Sequence, residues 1–189
     1  MDETVLLGHG SGGTMMKRII DEVFYEAYGS TELLEGNDAA CLEAPQAGER
    51  LAYSTDSFVV TPHFFPGGDI GKLAVCGTVN DVATSGAVPK YLSCGFILEE
   101  GFPVADLKRI CASMAQVAKE AGVHIVTGDT KVVNRATVMA FLSTQVVLVL
   151  FLRAWRFRVH SVSLAIKFWY LVPWAIMHYG HGMSRRTFF

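Results

Sequence analysis

The chain has 189 residues, net charge −2 and 51% hydrophobic residues, which excludes general nucleic-acid binding through a basic surface. The charge is unevenly spread. Residues 1–133 carry all 18 acidic and 9 basic residues (−9), whereas residues 134–189 carry no acid, 7 Lys or Arg (+7) and all 3 Trp. The four cysteines, Cys41, Cys76, Cys94 and Cys111, form no CxxC pair, so no zinc site or disulfide framework is expected. The acidic start, Met1-Asp-Glu-Thr, does not read as a secretion leader, and a reducing, cytoplasmic setting is expected.

In chain order, Glu3 to Leu7 reads as a short strand running into the loop Gly8-His-Gly-Ser-Gly-Gly13. Thr14 is expected to cap a helix from Met15 to about Tyr28, with Met15, Ile19, Val23 and Ala27 on one face. Ala39–Leu42 and Leu51–Ser54 read as strands, the latter continued by Phe58–Val60 beyond a polar interruption at Asp56. Thr61–Asp69 is a loop, and Lys72–Ser85 a buried helix stopped near Gly86 and Pro89. Tyr91–Leu98 is an apolar strand. Val104–Ala121 is a helix with Leu107, Ile110, Cys111, Met114, Val117 and Ala118 inward and Gly122 as its stop. Val123–Val126 is a last strand ending in Thr127-Gly-Asp-Thr-Lys131, and the mixture defines an α/β or α+β class.

Asp38, Asp56, Asp81 and Asp129 stand where strands end or loops turn. Such carboxylates either cap turns or converge on Mg²⁺, a hard cation that takes oxygen ligands and bridges to phosphates. Lys131 beside Asp129 tilts the reading toward a metal–nucleotide site. Gly8, Gly10 and Gly13 satisfy GxGxxG, but the dinucleotide signal is weak because the flanking strands are short. A loop of this kind wraps phosphates at a helix N-terminus or is a loose N-terminal arm. Gly67–Lys72 imitates a phosphate-binding loop only superficially, and His9, His63 and His124 share no metal-ligand spacing.

His9-Gly-Ser-Gly-Gly13, the run Ser54 to Lys72, Asn80-Asp-Val-Ala, Tyr91 to Gly101 and Thr127-Gly-Asp-Thr-Lys-Val-Val133 together resemble the hydrogenase-maturation carbamoyl dehydratases, the HypE family. The resemblance covers residues 4–133. The family shares a superfamily with aminoimidazole ribonucleotide synthetase, selenophosphate synthetase and thiamine monophosphate kinase. The glycine loop holds no Cys, unlike that of selenophosphate synthetases. The resemblance implies an aminoimidazole ribonucleotide synthetase-like N-terminal domain, a mixed sheet with helices on one face, dimerising through its sheet. It implies ATP and Mg²⁺ as cofactors, with Gly10, Ser11, Gly12, Gly13, Asp38, Asp56, Asp81 and Asp129 at the nucleotide, the four Asp at the metal, and Lys131 as a catalytic lysine. The implied reaction is ATP-dependent dehydration of a thiocarboxamide on a C-terminal cysteine to a thiocyanate for nickel–iron hydrogenase. The implied partners are the carbamoyltransferase HypF and the HypC–HypD complex, with no nucleic acid.

After Val133 that family text stops. The family continues with a Gly-rich strand region, a second domain and a C-terminal cysteine, whereas this chain ends Arg-Arg-Thr-Phe-Phe189. The expectation is a truncated chain, inactive alone; the alternatives are a non-enzymatic fragment that pairs with full-length subunits, or a membrane-anchored nucleotide-binding domain. Joining the third base of each tail codon to the first two of the next gives, from Val138 to Leu152, choices that include D-G-I-F-I-N-T-G-G-V-G-A-I-P, and Met139-Ala140 is forced to Gly. This resembles the family's continuation, so residues 134–189 read as out-of-frame translation after loss of one nucleotide near codons 134–136. Ala136–Leu152 is uncharged over 17 residues, at the short edge of a membrane span, but the displaced-frame reading takes precedence over an anchor. The tail is expected not to complete the sheet, and any structure through Val138–Leu152 or Phe168–Met177 is expected to be helical.

Overall fold

The computed structural model describes residues 2–135 in full and residues 143–153 as backbone. The described helices are α1 (Gly13–Ile19), α2 (Glu26–Tyr28), α3 (Thr31–Leu34), α4 (Ile70–Thr84) and α5 (Val104–Ala121). The strands are β1 (Glu49–Phe58), β2 (Phe64–Phe65), β3 (Gly68–Asp69), β4 (Val88–Glu99), β5 (His124–Val133) and β6 (Ser143–Arg153). A π-helical turn, Ile20–Tyr25, joins α1 to α2.

The main sheet has the order β1-β6-β4-β5. β6 is antiparallel to both β1 and β4, while β5 lies parallel to β4 after the α5 crossover. A parallel neighbour needs such a crossover because a tight turn cannot reverse the chain twice. Side chains alternate along β4, and Leu92, Cys94, Phe96 and Leu98 point into the core. The inward stripe of α5 is the expected one, and Gly122 ends the helix at φ +70.

α4 is buried around most of its circumference. Two glycines make this possible. A Cβ on Gly71 would lie 2.7 Å from the Ile110 carbonyl oxygen of α5, and one on Gly77 would lie 2.6 Å from the Phe58 ring of β1. Glycine inside a helix costs about 1 kcal/mol of propensity. Here it allows α4 to sit between α5 and the sheet at close range. Asp69 starts the helix, its carboxylate accepting the Lys72 N–H at 2.9 Å.

Several expectations are corrected. Glu3–Leu7 forms only a Thr4–Pro103 bridge, because its backbone bonds go to the Gly101–Val104 turn and Leu7–Gly10 closes into a 3-10 turn. Ala39–Leu42 is irregular, and among the described residues no strand pairs with it. Thr14 is no cap; Gly12 takes that position and the helix begins at Gly13. β1 passes through Asp56 without interruption and ends at Phe58, so Val59 and Val60 lie outside it. The Thr61–Asp69 loop contains the small β2–β3 hairpin.

The largest correction concerns the tail. Ser143–Arg153 is a strand, not a helix, and it occupies the centre of the sheet. A continuous Val- and Leu-rich run suits a strand paired on both sides, and periodicity alone does not separate this from a buried helix. The Phe168–Met177 expectation lies outside the described residues. Among the described residues, no helix is long and apolar enough to cross a membrane.

Candidate active site

The glycine loop lies against β5. A Cβ on Gly10 would stand 2.6 Å from the backbone nitrogen of Val132, so the two backbones meet where only glycine fits. Ser11, Gly12 and Gly13 are exposed beyond that contact. Gly12 and Gly13 have φ +82 and +73, with open space around each.

On β5, the register against β4 shifts between Leu92 and Ser93, where Val126 is left without a partner. Beyond the shift a Cβ on Gly128 would collide with the Cys94 carbonyl oxygen. This tight crossing presents Thr127–Lys131 at the strand edge. Asp129 and Lys131, two residues apart on one strand, point to the same side, with Nζ to Oδ2 at 3.5 Å. Both side chains are about two-thirds exposed, 67% and 65%. Asp38 follows α3 in an irregular segment. It shares with Asn37, Thr127, Asp129 and Thr130 the rim of a pocket of about 430 Å³ floored by Phe24, Tyr28 and Phe96.

Asp56 and Asp81 form a separate pair. Asp56 lies on the helix-facing side of β1 beside α4, and its carboxylate accepts the Ser57 N–H at 2.8 Å. Asp81 stands near the end of α4. Partial burial, and then the Asp56 charge, raise the Asp81 carboxyl above its ordinary value of 3.8. Two carboxylates that feel each other in this way gain from a shared cation.

Thus Asp38 and Asp129 line one pocket beside β5, while Asp56 and Asp81 lie near each other at the β1 side of the sheet. Asp129 is paired with Gly95, Gly95 with Gln145 and Gln145 with Ser57, so three strand spacings, roughly 14 Å, separate the two places. Among the described residues, no three His, Cys, Asp or Glu side chains stand close enough together to hold a metal ion. Gly67–Lys72 serves the start of α4, with Lys72 Nζ donating to the Gly67 carbonyl at 3.1 Å.

Two features were not legible in the sequence. His9, with the look of a loop histidine, is 1% exposed. Its ring faces Asp2 and the Leu6 backbone, and nothing in residue spacing marks such a contact. Tyr28, Cys94 and Cys111 converge in the core from three elements. Burial pushes the Cys111 thiol up to about 12 and drives Tyr28 and Cys94 well above their ordinary ranges. Cys41 instead is exposed, in an irregular segment.

This combination, a β1-β6-β4-β5 sheet with carboxylates at its two sides and helices on one face, defines the class. Residues 36–148 match the family described as AIR synthase related protein, N-terminal domain, and the chain belongs to that family. It is 58% identical over 137 residues to carbamoyl dehydratase HypE of Escherichia coli K12, covering 71% of this chain and 41% of that protein. Among solved structures it is similar to hydrogenase maturation protein HypE in complex with ATP, with TM-score 0.74 and 51% identity over 78% of this chain and 43% of that one. It is also similar to HypE from a HypE–HypF complex, with TM-score 0.54 and 50% identity over 72% and 43% of the two chains. The chain spans about two-fifths of the length of these relatives.

Proposed function

We propose that residues 1–133 form the nucleotide-binding half of a HypE-type carbamoyl dehydratase acting in hydrogenase maturation. The observation that carries this reading is the Asp56–Asp81 pair, in which burial and then the neighbouring Asp56 charge raise the Asp81 carboxyl, in a chain that matches an ATP complex of HypE. Mg²⁺ is commonly held by one or two carboxylates together with phosphate oxygens, so a two-carboxylate site fits it without a third protein ligand. ATP supplies the phosphoryl group that turns a carboxamide oxygen into a leaving group. In this reading Asp56 and Asp81 take the cation. The Gly10–Gly13 backbone lines the phosphates, with Ser11 beside it. Lys131 offers positive charge to the transferred group, with Asp129 holding the lysine and Asp38 closing the pocket.

The overall reaction, dehydration of a protein thiocarboxamide to a thiocyanate, belongs to this proposal, as do HypF and the HypC–HypD complex as partners and a cytoplasmic setting. So does a homodimer through the open sheet face, where Leu51, Tyr53 and Val88 are 55%, 63% and 60% exposed. Patches of this kind favour association. The reading of residues 134–189 as displaced-frame translation is likewise proposed, and resequencing codons 130–140 tests it. The strand at Ser143–Arg153 fits it only as an apolar run filling the position that the in-frame text would occupy.

Calorimetric titration of the chain with Mg·ATP tests the nucleotide reading. Binding is expected, weakened about tenfold or more by Asp56→Asn or Asp81→Asn with the fold retained. No heat of binding in the unsubstituted chain, or full binding by both variants, overturns it.

A further inference from the structure

We propose that His9 is the positioning residue of the glycine loop: its imidazole fixes the turn that lays Gly10 on β5 at Val132. The contacts form a closed ring. The His9 backbone N–H donates to the Leu6 carbonyl at 2.9 Å, and the Leu6 N–H donates back to His9 Nδ1, also at 2.9 Å. Nδ1 therefore carries a lone pair, and Nε2 carries the proton. Nε2 lies 3.5 Å from Asp2 Oδ2, so the N-terminal segment orients the ring from its other side. A hydrogen-bonded ring that is 1% exposed is an anchor. The residues it anchors have little else to hold them. Besides the Gly10 contact with Val132 and the Met15 side chain against Gly8, the described contacts are the Leu7 N–H donating to Glu100 Oε1 at 3.4 Å, the Ser11 hydroxyl donating to the Leu7 carbonyl at 3.0 Å and the Ser11 N–H donating to the Gly8 carbonyl at 3.3 Å. Fixing such a loop beforehand lowers the ordering cost when it closes on a ligand. The inference rests on the nucleotide reading for the loop's purpose, but not for the anchor itself.

The test is amide hydrogen exchange on the full chain, with and without Mg·ATP, for His9→Leu, His9→Asn and Gly10→Ala. Leucine keeps the apolar volume and removes the acceptor; asparagine keeps an acceptor where Nδ1 lies. In His9→Leu, exchange across residues 6–13 should rise about tenfold while α5 and β4 stay protected. His9→Asn should restore the original pattern. Gly10→Ala, which attacks the same docking from the β5 side, should loosen the same segment, and it decides the matter if His9→Leu does not fold. Affinity for Mg·ATP should fall with loop protection and return with asparagine. Unchanged loop exchange in His9→Leu overturns the proposal. So does loosening shared equally by α5 and β4, or a loosened loop with undiminished nucleotide affinity. If the unsubstituted chain gains no protection from Mg·ATP, the nucleotide reading fails, and loop exchange with asparagine rescue alone judges the anchor.

Discussion

The two sides of the sheet carry the same kind of residue in opposite electrostatic circumstances. At the β1 side, Asp81 lies near Asp56, and burial first and the Asp56 charge second make its carboxyl harder to ionise. At the β5 side, Asp129 faces Lys131 across the same strand, and the pair is largely solvated. An acid covered by a helix and set against a like charge stores repulsion that a cation relieves. An acid at an open edge beside a lysine sits against an opposite charge in solvent and serves to orient its partner. Identical sequence signals, an Asp at the end of an element, therefore carry different chemistry according to what packs over them.

The widest difference should be in the thiols. Cys111, pushed to about 12 by burial, has roughly a thousandfold less thiolate than an ordinary cysteine, whereas Cys41 is exposed. Iodoacetamide at pH 8 should modify Cys41 long before Cys94 or Cys111 in the folded chain, as read by peptide mass spectrometry. Equal rates would mean that the core under the β5 side is open. For the same reason, thiocyanate formation is not expected on Cys76, Cys94 or Cys111.

Next is the packing that creates the Asp56–Asp81 pair. Gly77→Ala sets a Cβ against the Phe58 ring and should push α4 away from β1, with a loss of about 1–3 kcal/mol in denaturant unfolding. The Asp81 titration should move back toward 3.8 as the two carboxylates separate. A fully stable Gly77→Ala variant with an unmoved Asp81 would show that this contact does not set the pair.

A smaller effect is expected from Asp81→Asn. Asp81 binds its proton more tightly folded than unfolded, so stability falls as pH rises through the window just above 3.8. Asparagine should remove that slope and raise stability at neutral pH by no more than about 1 kcal/mol. Thermal melts at pH 4 and pH 7 read both effects, and a steeper slope in the variant would contradict the assignment. Smallest of all, Asp129→Asn should change stability by less than about 0.5 kcal/mol, since an exposed pair at 3.5 Å holds little energy. A larger loss in denaturant melts would make that pair structural.

What the sequence determined by itself is the text of local pattern. The inward stripe of α5 and its Gly122 stop follow from periodicity and from glycine's tolerance of positive φ. The motifs around Asp56, Asp81 and Asp129 carry the family resemblance, which the matches to HypE bear out. The tertiary structure decided what depends on a partner distant in the chain. Ser143–Arg153 is a strand because β1 and β4 both offer it hydrogen bonds, and an apolar run by itself is silent on that choice. Ala39–Leu42 has strand-like residues but pairs with no strand among the described residues, and it is irregular. The division of the carboxylates into two pairs is set by the strand order β1-β6-β4-β5. The burial of His9 is set by the turn that folds its ring back onto the Leu6 N–H beside Asp2. Local propensity acts within a few residues, whereas sheet order and burial are properties of contacts that exist only once the chain has closed on itself.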